Sequence, residues 1–259
     1  MNKKNILIVG ANGYIGSAIY DTLKKNKQNV YGIDNFFRSD DISNYNKEIK
    51  NISYQNLSPE YLDNFTDCVW LAGHSSVGSS IRDEYGALNN NLFDLINFTN
   101  IFRGRLIYAS SGSVYSRENP EKANELSPTL IPSNIYDFTK VSFDNYIGAT
   151  NKKAIALRFG TVNGFTNRLR EELIINSMVK SSIKNNFLNV NNANKFRAIL
   201  AINDLISGIV TILDSEIDSG IYNMCSVNAR IGEIAETVSK KMNSEIKFLD
   251  DSPTYNFMM

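Results

Sequence analysis

The sequence predicts a doubly wound α/β fold. Through the first half of the chain short apolar runs alternate with longer segments of helical period, the pattern of parallel strands joined by crossover helices. A glycine-rich turn stands directly between the first run and the first helical segment. The 259 residues are ample for one large core carrying a small α/β companion.

Strands are expected at 5–10, 29–34, 52–55, 68–73, 105–110 and 154–159, each a short run rich in aliphatic or aromatic residues. Helices are expected at 14–25, 59–64, 86–102 and 135–150, where apolar residues recur at helical spacing. In the third of these, Leu88, Leu92, Leu95, Ile96 and Thr99 share a face and read as packing. After Gly164 the alternation weakens. A helix over 168–184, an Asn-rich loop over 185–194, an extended stretch over 196–202, a helix over 204–213, a strand over 220–223 and a helix over 231–242 complete the chain, with no internal repeat.

Composition excludes several classes. Lys and Arg number 27, as do Asp and Glu, and no block of like charge marks a nucleic-acid or membrane-surface partner. Cys68 and Cys225 are the only cysteines, too few and too far apart for a disulfide scaffold or a CxxC metal site. Both read as small buried apolar groups, and their reduced state suits the cytoplasm. His74 is the only histidine, which excludes a multi-histidine metal centre, so no metal is expected. The N-terminus runs from Lys4 straight into an apolar strand, too short for a signal-peptide core, and no later run is long enough to span a membrane.

The glycine turn is Gly10-Ala-Asn-Gly13-Tyr-Ile-Gly16. Between a strand and a helix, such glycines let backbone N–H groups and the helix N-terminus approach a pyrophosphate, although GxxGxxG is one residue longer than the usual dinucleotide fingerprint. Asp34 ends the second strand, 18 residues beyond Gly16, where an acid bonds ribose hydroxyls and repels a 2′-phosphate. NAD is therefore expected over NADP, with Arg38 close by in sequence as the residue that softens the preference.

Ser110-Ser111-Gly-Ser113-Val-Tyr115 ends a predicted strand, and Tyr136-Asp-Phe-Thr-Lys140 opens a predicted helix. At a spacing of four, Tyr136 and Lys140 share one helical face. A tyrosine used as a base near neutrality needs its pKa lowered by about three units, roughly 4 kcal/mol, which a neighbouring ammonium and a cationic nicotinamide ring supply. The same spacing occurs at Tyr20 and Lys24, so only placement after a serine-ended strand distinguishes the Tyr136 pair.

On these segments the chain resembles the extended short-chain dehydrogenase/reductases, the NAD-dependent sugar-nucleotide epimerase/dehydratase family, over nearly its whole length. Asp34-Asn35 looks like that family's second-strand end. Leu71-Ala-Gly73-His-Ser-Ser-Val77-Gly-Ser-Ser-Ile81 is similar to the fourth-strand segment of UDP-galactose 4-epimerases, and Asn91 matches an Asn of the next helix. The resemblance implies a Rossmann domain at 1–164, joined again by 196–215, and a small substrate domain from 165–195 and 216–259. It implies NAD contacts at Gly10, Asn12, Gly13, Tyr14, Ile15, Gly16, Asp34, Asn35, Asn56, Leu57, Leu71, Ala72, Gly73, Asn91, Tyr136 and Lys140. Ser111, Tyr136 and Lys140 are implied as catalytic, and Ser75, Ser113, Thr161 and Arg197 as contacts of a nucleoside-diphosphate sugar.

Departures narrow the expectation. Asn56 replaces an adenine-contacting Asp, Ser75 a Lys common in 4-epimerases, and Thr161 an Asn near the substrate diphosphate. The Asp-Glu pair of 4,6-dehydratases and the Cys/His pair of GDP-fucose-forming enzymes are missing. The expected activity is oxidoreduction at a ring hydroxyl, C4, in a sugar-nucleotide epimerase. The alternatives are a 4-dehydrogenase, a 4-ketoreductase and a non-catalytic NAD sensor. Relatives dimerise through the helices at 86–102 and 135–150, which implies a homodimer.

Overall fold

The computed structural model describes residues 4–37, 46–118, 120–150 and 152–259; Arg38 lies outside them. The main sheet contains β1 (Asn5–Val9), β2 (Asn29–Asp34), β3 (Lys50–Asn51), β4 (Asp67–Trp70), β5 (Arg105–Ser111), β6 (Ala154–Phe159) and β10 (Gly220–Met224). Its order is β10-β6-β5-β4-β1-β2-β3, and every neighbouring pair is parallel. The order reverses between β1 and β4, which opens a crevice at the carboxyl ends of those strands.

Strand alternation decides which layer covers which face. Ile6 and Ile8 of β1 point into a cluster with Ile19 and Leu23 of α1 (Tyr14–Lys25) and with Leu205 and Ile209 of α8 (Ile202–Asp214). Leu7 and Val9 point the other way, to Leu95 and Phe98 of α5 (Asp94–Ile101) and Phe143 of α6 (Ile135–Ala149). Each such side chain contributes about 1.5–3 kcal/mol by leaving water. The doubly wound expectation is met.

A smaller unit follows β6. β7 (Thr161–Asn163), β9 (Phe196–Ala201) and β11 (Val227–Arg230) form a three-stranded sheet, and β8 (Phe187–Val190) pairs in parallel with β12 (Glu245–Phe248). Met178 of α7 (Ile174–Asn185) and Ile234 and Val238 of α9 (Ile231–Met242) pack against Leu188 and Val190. Two segments sit elsewhere than expected. Gly220–Met224 pairs with β6 as an edge strand of the main sheet, although 216–259 was assigned to the small domain. Within 196–215 only α8 returns to the main sheet, because β9 pairs with β7 and β11.

Other differences have local causes. In place of a strand at 52–55, β3 stops at Asn51 and Tyr54–Asn56 forms a 3₁₀ turn. Tyr54 is drawn inward by Trp70, 5.0 Å between ring centroids, and by a 2.8 Å hydrogen bond to Asp94. The helix expected over 86–102 is broken. α4 (Glu84–Leu88) is capped by Asp83, and a π-helical turn over Asn89–Phe93 precedes α5. Widening that turn aims Asn90 and Asn91 at His74. The helix expected from 168 starts at Ile174, and the Asn-rich loop contains β8. Asn186 and Asn192, at φ 58° and 60°, bracket that strand with left-handed turns that asparagine tolerates.

β6 is buried throughout and includes Arg158, whose Nε donates to Asp144 at 2.8 Å while its Nη1 donates to Tyr115. Asp144→Ala leaves this guanidinium buried and unpaired. It should cost about 3–5 kcal/mol in urea unfolding at neutral pH, whereas a loss under about 1 kcal/mol would show that the pair is dispensable.

Candidate active site

The glycine turn is built by close backbone packing. Gly10 sits at φ +86°, and a Cβ there would lie 2.6 Å from the amide nitrogen of Ala72; a Cβ on Gly16 would lie 2.1 Å from the carbonyl oxygen of Gly10. Only glycine at both positions lets α1 start this close to β1 and to the exit of β4. The first turn of α1 has no acidic residue and no side-chain cap, so its positive end is left for a ligand. Asn12 N–H donates to Asp34 Oδ2 at 2.9 Å and Phe36 N–H to Asp34 Oδ1 at 2.8 Å. Burial raises the Asp34 pKa, against these two donors and the nearby Arg168 charge.

Gly10, Asn12, Gly13 and Asp34 line a cleft of about 650 Å³ with Asn35, Leu71, Ala72, Gly73 and Ser75. The cradle that a Cβ would fill and the carboxylate at the end of β2 fit a dinucleotide.

One strand further along the same edge, Ser111 ends β5 and Tyr136 opens α6. Asn134 caps that helix by accepting Asp137 N–H at 2.9 Å. The Ser111 hydroxyl acts on the Tyr136 phenol to lower its pKa. Lys140, 8 % exposed, donates to the Ala109 carbonyl at 2.7 Å and stands 5.6 Å from the Tyr136 ring centroid. Ser111 and Ser113 hydroxyls are 2.7 Å apart, and Ser113 donates to Asp137 Oδ1 at 2.5 Å. Because Ser113 gives its one proton to Asp137, it accepts from Ser111. Ser110, by contrast, is buried with no hydrogen-bond partner among the described residues.

Burial pushes the Tyr136 phenol above its ordinary value despite the Ser111 hydroxyl; Asp137 adds to the rise and Arg170 opposes it. Burial also lowers Lys140 to about 8. The phenol is therefore held protonated in this structure, and the lysine alone does not acidify it.

Several expected contacts are directed elsewhere. Tyr14 donates to the Gly164 carbonyl at 2.7 Å, and Ile15 packs into the core. Ser53, Tyr54 and Gln55 line the cleft in the place expected of Asn56 and Leu57, because the 3₁₀ turn rotates the chain. Asn91 is buried, accepting His74 N–H at 2.8 Å and donating to His74 O at 3.0 Å and to Thr139 at 3.3 Å, so it positions the β4 exit. Both ring nitrogens of His74 are bonded, to Asn90 and Asp83, as suits a structural histidine. Thr161 lies in β7, paired with Ile199.

Arg197 departs most. It is 8 % exposed and donates to Phe196 O at 2.9 Å, to Tyr255 O, and to Thr254 Oγ1 at 2.5 Å. Burial lowers it to about 10. Arg168 and Arg170, by contrast, line the cleft, and Asp137 joins the serines; neither arginine nor Asp137 was singled out from the sequence. Two arginines flanking Leu169 were the available signal, hidden by reading the segment as the start of a helix.

A parallel sheet with a glycine cradle at its switch point and a Ser-Tyr-Lys group on the same edge defines an extended short-chain dehydrogenase/reductase. The model of the NAD dependent epimerase/dehydratase family matches residues 6–225. The chain belongs to that family and is an enzyme with NAD as its cofactor. It is 24% identical to Protein CapI of Staphylococcus aureus, over 96% of this chain and 87% of that one. In structure it is similar to the UDP-N-acetylglucosamine 4-epimerase of Methanobrevibacter ruminantium, with a TM-score of 0.84 and 22% identity over 100% of this chain and 89% of that one. It is also similar to the Thermus thermophilus UDP-glucose 4-epimerase solved with NAD, with a TM-score of 0.81 and 21% identity over 98% and 89%.

A lysine whose folded pKa is depressed gains stability as pH rises. Between Lys140's folded value of about 8 and its ordinary value of 10.5 the folded protein binds fewer protons than the unfolded chain. Lys140→Met should thus stabilise the protein at pH 7 by up to about 3 kcal/mol, less the lost Ala109 hydrogen bond. That gain should fade by pH 10.5. Denaturant unfolding at the two pH values reads it, and an equal effect at both would contradict the buried ammonium.

Proposed function

We propose that the chain is a nucleoside-diphosphate-sugar epimerase, acting by reversible oxidation at C4. The observation that carries this reading is the Ser111–Tyr136–Lys140 group on the same sheet edge as the glycine cradle. Tyr136, as phenolate, takes the proton of the sugar hydroxyl, and Ser111, turning its proton from Ser113 to that oxygen, hydrogen-bonds it as its charge develops. Bound NAD would supply the hydride acceptor, and on return the hydride donor, for C4. Lys140 orients the cofactor beside the phenol. Once the keto sugar has turned over, Tyr136 would give its proton back to the C4 oxygen, which completes inversion. The unit of α7, α9 and the smaller sheets would bind the nucleotide, with Ser75 and Ser113 as the residues to test for substrate contact.

A cytoplasmic location belongs to this reading, supported by two free cysteines. Among the described residues no helix is long and apolar enough to cross a membrane, and no cluster of metal-ligating side chains occurs. A homodimer is supported by exposed aromatic side chains on neighbouring elements: Tyr85 on α4, Phe93 on the π-helical turn and Phe138 on α6. Light scattering at micromolar concentration should give twice the chain mass, and Phe93→Glu should return it to one; a wild-type monomer would end that proposal.

Incubation with NAD and a panel of UDP-, GDP-, dTDP- and CDP-sugars, followed by sugar NMR and reduced-nicotinamide absorbance, should show stereochemical conversion without accumulating NADH. Tyr136→Phe should slow it by about two to four decades. Stoichiometric NADH would instead indicate a dehydrogenase, and dinucleotide binding with no turnover a sensor.

A further inference from the structure

A buried carboxylate held by neutral donors stands beside the catalytic group. Asp137 follows Tyr136 in the first turn of α6 and is 5 % exposed. Its Oδ1 accepts from the Ser113 hydroxyl at 2.5 Å, and its Oδ2 accepts from Asn134 Nδ2 at 2.7 Å and from the Tyr255 hydroxyl at 2.8 Å. An ionised carboxylate only accepts, and the helix N-terminus favours its charge. That charge is felt at the Tyr136 phenol, which it raises.

The cations of the surrounding elements are committed to other partners. Lys140, one turn further along α6, donates to the Ala109 carbonyl, and Arg158 of β6 pairs with Asp144. Arg170 lies on the strap of residues 164–176, which crosses the cofactor cleft with Arg168 on Asn12 and Arg170 on Ser75, and is paired with Glu172 at 2.8 Å. Arg197 of β9 is bonded to the Tyr255 carbonyl and to Thr254.

Asp137 also decides what its neighbours can offer a ligand. A hydroxyl has one proton to give. Ser113 and Tyr255 have both given theirs to Asp137, so each is left with lone pairs alone; Ser113 already accepts from Ser111, and Tyr255 from Asn134 at 3.2 Å. The wall beside Ser111 and Tyr136 therefore accepts hydrogen bonds and carries negative charge. A ring hydroxyl or amine can donate to it. A ring carboxylate, itself only an acceptor and of the same sign, would lose its water there and meet repulsion.

We propose that Asp137 sets the charge of the sugar this site admits: a hexose bearing hydroxyl or amino groups, and not a sugar acid. The inference rests on the nucleotide-sugar reading of the site and narrows its substrate class. Asp137 acts through Ser113 and Tyr255, as a positioning residue.

The test uses the full chain with NAD bound and pairs of nucleotide sugars that differ only at C6: UDP-glucose with UDP-glucuronate, dTDP-glucose with dTDP-glucuronate, and GDP-mannose with GDP-mannuronate. Calorimetry gives the affinities. For the pair it binds best, the wild-type chain should favour the hexose at least about tenfold, the order expected when like charges meet out of water. Asp137→Asn, which keeps the shape of the side chain, should reduce that preference to about threefold or less. Asp137→Glu and Tyr255→Phe keep the charge and should keep the preference. A carboxylate that merely holds the 253–259 segment in place would, on becoming Asn, weaken both sugars alike. A smaller wild-type preference, which needs no variant to fold, or a ratio that Asp137→Asn leaves unchanged, overturns the inference and leaves the epimerase reading intact. A wild-type chain that binds no sugar of any pair overturns both.

Discussion

The carboxyl edge depends on one steric constraint, the approach of three backbone segments around Gly10. The turn after β1, the first turn of α1 and the exit of β4 come so close that a methyl group at Gly10 or Gly16 would overlap backbone atoms. Leu71 and Ala72 N–H groups both donate to the Val9 carbonyl, at 2.8 and 3.0 Å, and Gly10 and Ala11 N–H both donate to Ile33 O, which ties the turn to its neighbouring strands. The open helix end is thereby delivered to the point where strand order reverses. Asp34, Ser75 and the strap residues are then simply what surrounds that point. Loosening the contact would move the helix dipole relative to the cleft floor and the β4 exit.

The tyrosine-lysine spacing shows why placement outranks pattern. In the pair Tyr20 and Lys24 the ammonium lies 5.7 Å from the ring centroid, and in Tyr136 and Lys140 it lies 5.6 Å. Helical geometry dictates that distance wherever the spacing occurs. The surroundings differ completely. Tyr20 is buried in the core against the sheet with its hydroxyl 3.2 Å from Glu48, and Lys24 pairs with the same glutamate at 2.6 Å on the surface. Tyr136 meets a strand-end serine, and Lys140 is buried with a backbone carbonyl for its partner.

What was legible in the sequence was what local periodicity controls. β2, β6, α1 and α9 have the expected limits, because buried parallel strands and amphipathic helices carry their signal within the segment. The failures share a different cause. β3 ends early because Tyr54 is pulled toward Trp70 and Asp94, partners 16 and 40 residues away. The break in the 86–102 helix exists to place Asn90 and Asn91 against His74, and β8 exists only by pairing with β12. At the site, the glycine turn, Asp34 and the Ser-Tyr-Lys group were readable by type and order. Arg168, Arg170 and Asp137 were not, since their place depends on a strap crossing the cleft and on hydrogen bonds between side chains of separate elements. Arg197 was readable only as a family position, and its burial against Thr254 and Tyr255 comes from how the last residues pack.

The charges around Tyr136 limit how the phenol can act. Exclusion of water moves the two partners in opposite directions, the phenol up and the ammonium down to about 8, so below that value the resting pair is a neutral phenol beside a cationic lysine. The Ser111 hydroxyl opposes this state without overturning it, and Ser113, donating to Asp137, ties the serine pair to the carboxylate that raises the phenol. Asp137 cannot relax easily, being held also by Asn134 at 2.7 Å and by the Tyr255 hydroxyl at 2.8 Å. Tyr136 thus rests as an acid. Its conversion to a base requires positive charge added on the cleft side of the ring, where Arg170 already opposes Asp137. An active site arranged in this way makes the protonation of Tyr136 depend on the charge that lies beside it, Asp137 raising it and Arg170 opposing the rise.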